Sequence, residues 1–121
     1  MKKIIFTSTA LFCALFSFCQ TTVSIDSIGN HIGEKVKVCD KVYNTKFLSN
    51  SASQITFLNV GAPYPNSPLT VVIMGKDRKN FKQAPEVMYS GKAVCVEGVV
   101  KEYKGKSEIL VDNEDEITIQ Q

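Results

Sequence analysis

Between residues 35 and 42 the chain alternates: Val36, Val38 and Val42 fall on one face, and Lys35, Lys37, Cys39 and Lys41 on the other. A period of two is the signature of a half-buried strand. It sets this stretch apart from a helix, and most of the later chain reads the same way. His31-Ile32-Gly33 is read as the turn into this strand. Gln54 to Val60 (QITFLNV) forms a second strand, with the polar stretch 44–53 as an extended hairpin loop between the two. A proline-rich turn follows, Gly61-Ala62-Pro63 and then Pro65-Asn66-Ser67-Pro68. Leu69 to Met74 (LTVVIM) is the third strand.

The pattern then breaks. Asp77 is placed to cap a short helix over 78–83. Pro85 stops that helix, and Glu86 to Tyr89 suits a further helical turn. Ala93 to Val100 reads as strand four, with Gly98 at a bend or bulge. Tyr103-Lys104-Gly105-Lys106 is a tight turn. Strand five runs from Glu108 to Val111 and is expected to resume over 117–119, beyond the acidic corner 112–116. Three strands, a short helical connection and two more strands predict an all-β, five-stranded Greek-key barrel of OB type. Such a barrel binds through strands two and three and the one–two and four–five loops. An open β-sandwich is the alternative for this strand count.

The first residues read differently. Lys2 and Lys3 precede an apolar run from Ile4 to Phe18, too short for a comfortable membrane span of about 20 residues and of secretory length. Ser17 and Cys19 supply small residues at positions −3 and −1, predicting a signal peptide over 1–19, cleavage before Gln20 and one domain over 20–121. A lipoprotein acylated at Cys13 or Cys19 competes with this reading, although both follow Phe where a lipobox takes a small residue. A retained N-terminal membrane helix is the third reading. Export changes the charge: the 14 basic residues include Lys2 and Lys3, so 14 − 2 = 12 would face 12 acids, a net of zero. Of the four cysteines, Cys39 and Cys95 would remain.

Several segments resemble a family of small bacterial exported OB-fold domains. They are Ile32-Gly33-Glu34-Lys35-Val36-Lys37-Val38, then Thr56 to Gly61 with Tyr64-Pro65-Asn66 after it, and Tyr89-Ser90-Gly91-Lys92. Val94 to Val100 and Tyr103-Lys104-Gly105-Lys106 complete the likeness, which covers most of the chain after residue 20. It implies a nucleic-acid-binding OB module, of a kind sometimes attached to extracellular nucleases; this sequence carries no nuclease domain. Asp40 stands where Gly is expected in the bent first strand.

In an OB barrel the first and fourth strands are antiparallel neighbours. Cys39 lies opposite the valine face, and Cys95 shares a face with Ala93 and Glu97. Both thiols then sit on the outer side of adjacent strands, where opposed residues approach within about 4.5–5.5 Å. That separation suits a disulfide, expected in an oxidising compartment. A metal or redox pair is the alternative, but one His and no Cys-x-x-Cys make a poor ligand set, and no metal or cofactor is expected.

The candidate ligand residues are Tyr43 and Lys46 entering the one–two loop, Tyr64 after strand two, and Tyr103, Lys104 and Lys106 in the four–five hairpin. Tyrosines interleaved with lysines suit single-stranded nucleic acid, whose bases stack on aromatic rings while phosphates meet cations. Packing and solvation at the barrel rim is the structural alternative. Lys76, Arg78, Lys79 and Lys82 form a denser basic cluster on the connector, read as a solvated surface. The Asp112–Glu116 run lacks the spacing of an EF-hand calcium loop and is read as a solvated corner. His31 has no evident carboxylate, nucleophile or metal partner. With no nucleophile motif, phosphate loop or His-bearing constellation, no enzyme is expected. The expected activity is ligand binding outside the cytoplasm. The ligand is a nucleic-acid single strand or, alternatively, an envelope protein, glycan or small molecule held on the barrel face.

Overall fold

Val36, Val38 and Val42 commit residues 35 onward to a strand with one buried face, the longest strand among the described residues. The computed structural model describes residues 21–121, so the leader expected over 1–19, its cleavage site, Cys13 and Cys19 lie outside the described residues. In chain order the strands are β1 (Thr21–Val23), β2 (Lys35–Phe47), β3 (Thr56–Val60), β4 (Leu69–Ile73), β5 (Ala93–Tyr103), β6 (Lys106–Leu110) and β7 (Ile117–Ile119). A four-residue helix α1 (Pro85–Met88) and 3-10 segments over Ile25–His31, Gly75–Asn80 and Glu114–Glu116 complete the fold.

Five strands close into a barrel. β2 runs antiparallel to β3, β3 to β4, β6 to β5 and β5 to β2, while β4 and β6 pair in parallel. This circuit, with the helical connector between its third and fourth strands, is the OB barrel. Strands one to five of the expected barrel are β2 to β6. β1 adds in parallel to β2 beside Val36–Val38, and β7 adds antiparallel to β5 beside Val94–Val96. β7 is the resumption expected at 117–119. β1, three residues long, is too short to show a period.

The valine face is the core. Val36, Val38, Val42, Leu58, Val71, Val94, Val100 and Ile109 are each at most 1 % exposed. Helix α1 packs against β2 and β3, and Phe81 and Tyr89 on either side of it in sequence join the core and meet edge to face at 6.2 Å. Burial, reinforced by the charge of Glu114, pushes the Tyr89 hydroxyl up to about 12. No helix among the described residues is long and apolar enough to cross a membrane.

Several local expectations are corrected. β2 does not end at Val42 but continues to Phe47, because a bulge between Val42 and Asn44 interrupts the alternation without ending the pairing. The bend expected near Asp40 therefore falls later, and Asp40 stays in register opposite Val94. Asp77 caps nothing: the connector's first turn starts at Gly75 after Met74, with no side-chain cap. Pro85 opens a helix rather than stopping one, since its missing N–H costs nothing in a first turn. Gly98 marks no bulge. β5 keeps its register there, and a Cβ at residue 98 would lie 2.6 Å from Ile109 Cγ2, so glycine is needed for close packing. His31 does have a carboxylate partner, Glu34, with Nδ1 to Oε2 at 3.0 Å.

The two cysteines are directly opposed on β2 and β5, with Cα atoms 4.0 Å apart, and form a disulfide. Such a bond is consistent with an oxidising compartment.

Candidate functional site

Residues on the outer face of the barrel line up across four strands. Asn44 of β2 pairs with Asn59 of β3, Asn59 with Thr70 of β4, and Thr70 with Glu108 of β6. In the adjoining row Lys46 pairs with Phe57, and Phe57 with Val72. The polar row, with Lys46 and Phe57 beside it, lines a groove of about 420 Å³. Leu48, at the start of the β2–β3 loop, Tyr64 on the β3–β4 turn, and Tyr103 and Lys106 at the β5–β6 hairpin line it as well.

The hairpin is held by its two central residues. Lys104 and Gly105 both take positive φ, 49° and 78°, the combination that matches a two-residue turn to the twist of its strands. Tyr103 and Lys106 are thereby placed opposite each other. Lys106 Nζ donates to the Pro65 carbonyl at 2.6 Å and sits 5.7 Å from the centre of the Tyr64 ring. On the other side, the Tyr64 amide donates to Asn44 Oδ1 at 3.1 Å. The turn bearing Tyr64 is thus tied to both β6 and β2. Tyr64 is 68 % exposed and Tyr103 60 %, so both rings present open faces.

The floor is polar and only partly satisfied. Asn59 is buried, and its Oδ1 accepts from Ser67 Oγ and Thr70 Oγ1, both at 3.3 Å, which leaves the Nδ2 donors for another partner. Glu108 is half-buried, and its carboxylate has no hydrogen bond or ion pair among the described residues. Burial raises its carboxyl above the ordinary value. Chemically, the groove can stack a flat ring, meet an anion at Lys46 or Lys106, and read a hydrogen-bonding edge with carboxylate, amide and hydroxyl groups.

Of the six candidates from the sequence, Lys46, Tyr64, Tyr103 and Lys106 come together here. Tyr43 and Lys104 are not among the groove's lining residues. Tyr43 lies at the β2 bulge, exposed, with Lys41 Nζ 5.1 Å over its ring. Lys104 sits in the hairpin turn with Nζ 5.4 Å over Tyr103. Asn44, Asn59, Thr70 and Glu108 escaped the sequence reading. The only hint of them is a polar residue inside an apolar strand, Asn59 above all.

The connector's basic cluster is only in part a solvated surface. Arg78 is engaged by Glu86 at 2.7 and 3.0 Å, donates to Thr56 Oγ1 at 2.5 Å and stacks 3.6 Å over the Phe47 ring. That guanidinium holds the Glu86 carboxyl below its ordinary value. The acidic corner is organised by its own bonds. Asn113 caps the turn, Glu116 Oε1 accepts from the Asp112 amide at 3.1 Å, and Glu114 Oε1 accepts from the Lys82 amide. No grouping of three or more His, Cys, Asp or Glu suited to a metal ion occurs among the described residues.

No family profile and no curated protein matches this sequence. Among solved structures, the chain is similar to a crystal structure assigned as an aspartyl-tRNA synthetase from Leishmania major Friedlin. The TM-score is 0.53 and the identity 12 %, over 88 % of this chain and 22 % of that one. At that identity the likeness is one of fold. The chain spans about a fifth of the other protein's length.

Proposed function

We propose that this protein is a non-catalytic binding module working outside the cytoplasm, and that single-stranded nucleic acid lies in its outer groove. One observation carries the reading. Tyr64 and Tyr103, both well exposed, share a single groove with Lys46 and Lys106 on a face to which barrel strands two and three give Phe57, Asn59 and Thr70 and strands one and five give Lys46 and Lys106. Aromatic faces offer stacking that tolerates any base, and lysines at the rim meet the backbone phosphates. The OB barrel is a fold whose ligands lie on this face. The periplasmic or secreted address is supported by the leader-like residues 1–19 and by the Cys39–Cys95 bond.

A second reading, an envelope protein, glycan or small polar ligand in the same groove, is favoured by Glu108, an acid among the lining residues. The charge balance of zero expected after loss of Lys2 and Lys3 points the same way.

Titrating a fluorescent single-stranded oligonucleotide at two salt concentrations tests the proposal. With two or three phosphates neutralised, affinity falls roughly tenfold between 50 and 200 mM salt. Absence of binding at low salt, or an affinity that ignores salt, would contradict it. Glycan or small-ligand binding in its place would support the second reading.

A further inference from the structure

We propose that Glu108 makes this groove select guanine among the bases of a single strand, an inference that rests on the nucleic-acid reading above. Glu108 projects from β6 in the polar row, beyond Thr70 and Asn59, and is half-buried with no partner among the described residues. A half-buried carboxylate without a partner is costly, and a ligand that donates to it removes that cost.

An ionised carboxylate is an acceptor at both oxygens. On the Watson–Crick edge of guanine, N1–H and N2–H₂ are adjacent donors, so both oxygens are met at once. Adenine and cytosine set one amino donor beside a ring nitrogen that accepts, which turns a lone pair toward the second oxygen. Thymine and uracil offer one N–H between two carbonyls. Only guanine matches, and in a single strand this edge is open to be read.

Asn59 completes the match. Its Oδ1 is occupied by Ser67 and Thr70, which leaves Nδ2 to donate to the guanine O6. It stands two strands from Glu108, roughly 10 Å along the row, a distance that a purine edge with a hydrogen bond at each end covers. Tyr64 and Tyr103 at the rim supply a ring for the same base to stack on, and Lys46 or Lys106 meets the adjoining phosphate.

The test uses oligonucleotides of about twelve nucleotides, within OB site sizes: all thymine, or thymine with interspersed guanine, cytosine, adenine or inosine. Anisotropy on the whole protein is expected to show guanine-containing strands bound about tenfold more tightly than all-thymine. Inosine, lacking the N2 amino group, falls between the two. Glu108→Gln, which replaces one acceptor oxygen by a donor, is expected to bring the affinity ratio of guanine-containing to all-thymine strands down from about tenfold to about one. Equal affinity of the native protein for all strands overturns the inference and leaves the nucleic-acid reading standing. So does a guanine preference that survives in Glu108→Gln. Failure of every strand to bind overturns both.

Discussion

Lys106 Nζ hydrogen-bonds the Pro65 carbonyl at 2.6 Å, joining the β5–β6 hairpin to the β3–β4 turn across one end of the groove. The same ammonium lies over the Tyr64 ring, so one side chain sets the spacing of two binding elements. Lys106 is exposed, and an exposed polar tie contributes little to folding, within about 1 kcal/mol. Its larger effect is on the ligand. Lys106→Met is expected to leave the thermal midpoint nearly unchanged and to flatten the salt dependence of oligonucleotide binding by about 0.7 in log–log slope, one phosphate contact. An unchanged slope would remove Lys106 from the phosphate path.

The Cys39–Cys95 bond spans 56 residues of sequence. In the chain-entropy model, closing a loop of that length contributes about 4 kcal/mol. Replacing both cysteines with serine is expected to cost about 2–5 kcal/mol. Urea unfolding of the native and doubly substituted proteins measures this, and coincident midpoints would show that the bond adds no stability.

Arg78 and Glu86 couple the connector to pH. The bonds from Arg78 lower the Glu86 carboxyl in the folded state. The ion pair's contribution is therefore complete above the ordinary carboxylate value of 4.5 and fades as pH falls through the lower folded value. Arg78→Met is expected to cost about 1–3 kcal/mol at pH 7 and to make the loss of stability below pH 4.5 shallower. Chemical denaturation across pH 3–7 checks this. Parallel curves for the two proteins would refute it.

Glu108 has the opposite sign. Burial raises its carboxyl in the folded state, so its ionisation opposes folding at neutral pH, and the cost disappears below the unfolded carboxylate value. Glu108→Gln is expected to raise the melting temperature at pH 7 and to leave it unchanged at pH 3. A destabilised variant at pH 7 would mean that Glu108 supports the fold and is not held in reserve for a ligand.

Much of the barrel was legible because its strands announce themselves by period. The Val36–Val42 alternation, the LTVVIM run and the Val94–Val100 stretch each fall in a strand, although β2 and β5 run on to Phe47 and Tyr103 and Val71, Val72 and Ile73 are buried in succession. The Cys39–Cys95 register followed from strand phase once the barrel order was assumed. The bulge at Tyr43 was not legible, because a register shift depends on a partner strand far along the chain. For the same reason residue spacing does not show that Tyr43 lies off the groove or that Asn59 and Glu108 line it. A side chain's place in a cross-strand row is a property of pairing, and no residue spacing encodes it. Arg78 looked like one more lysine-like charge, since its partners Glu86, Thr56 and Phe47 come from three different elements.

On the proposed reading the ligand lies in the groove and not on the denser basic connector. Amide chemical-shift mapping during titration with a single-stranded oligonucleotide tests it residue by residue. Shifts are expected to concentrate at Asn44, Lys46, Asn59, Tyr64, Tyr103, Lys106 and Glu108, with Lys76, Lys79 and Lys82 unmoved. Shifts confined to the connector lysines, or none at a saturating concentration, would contradict it.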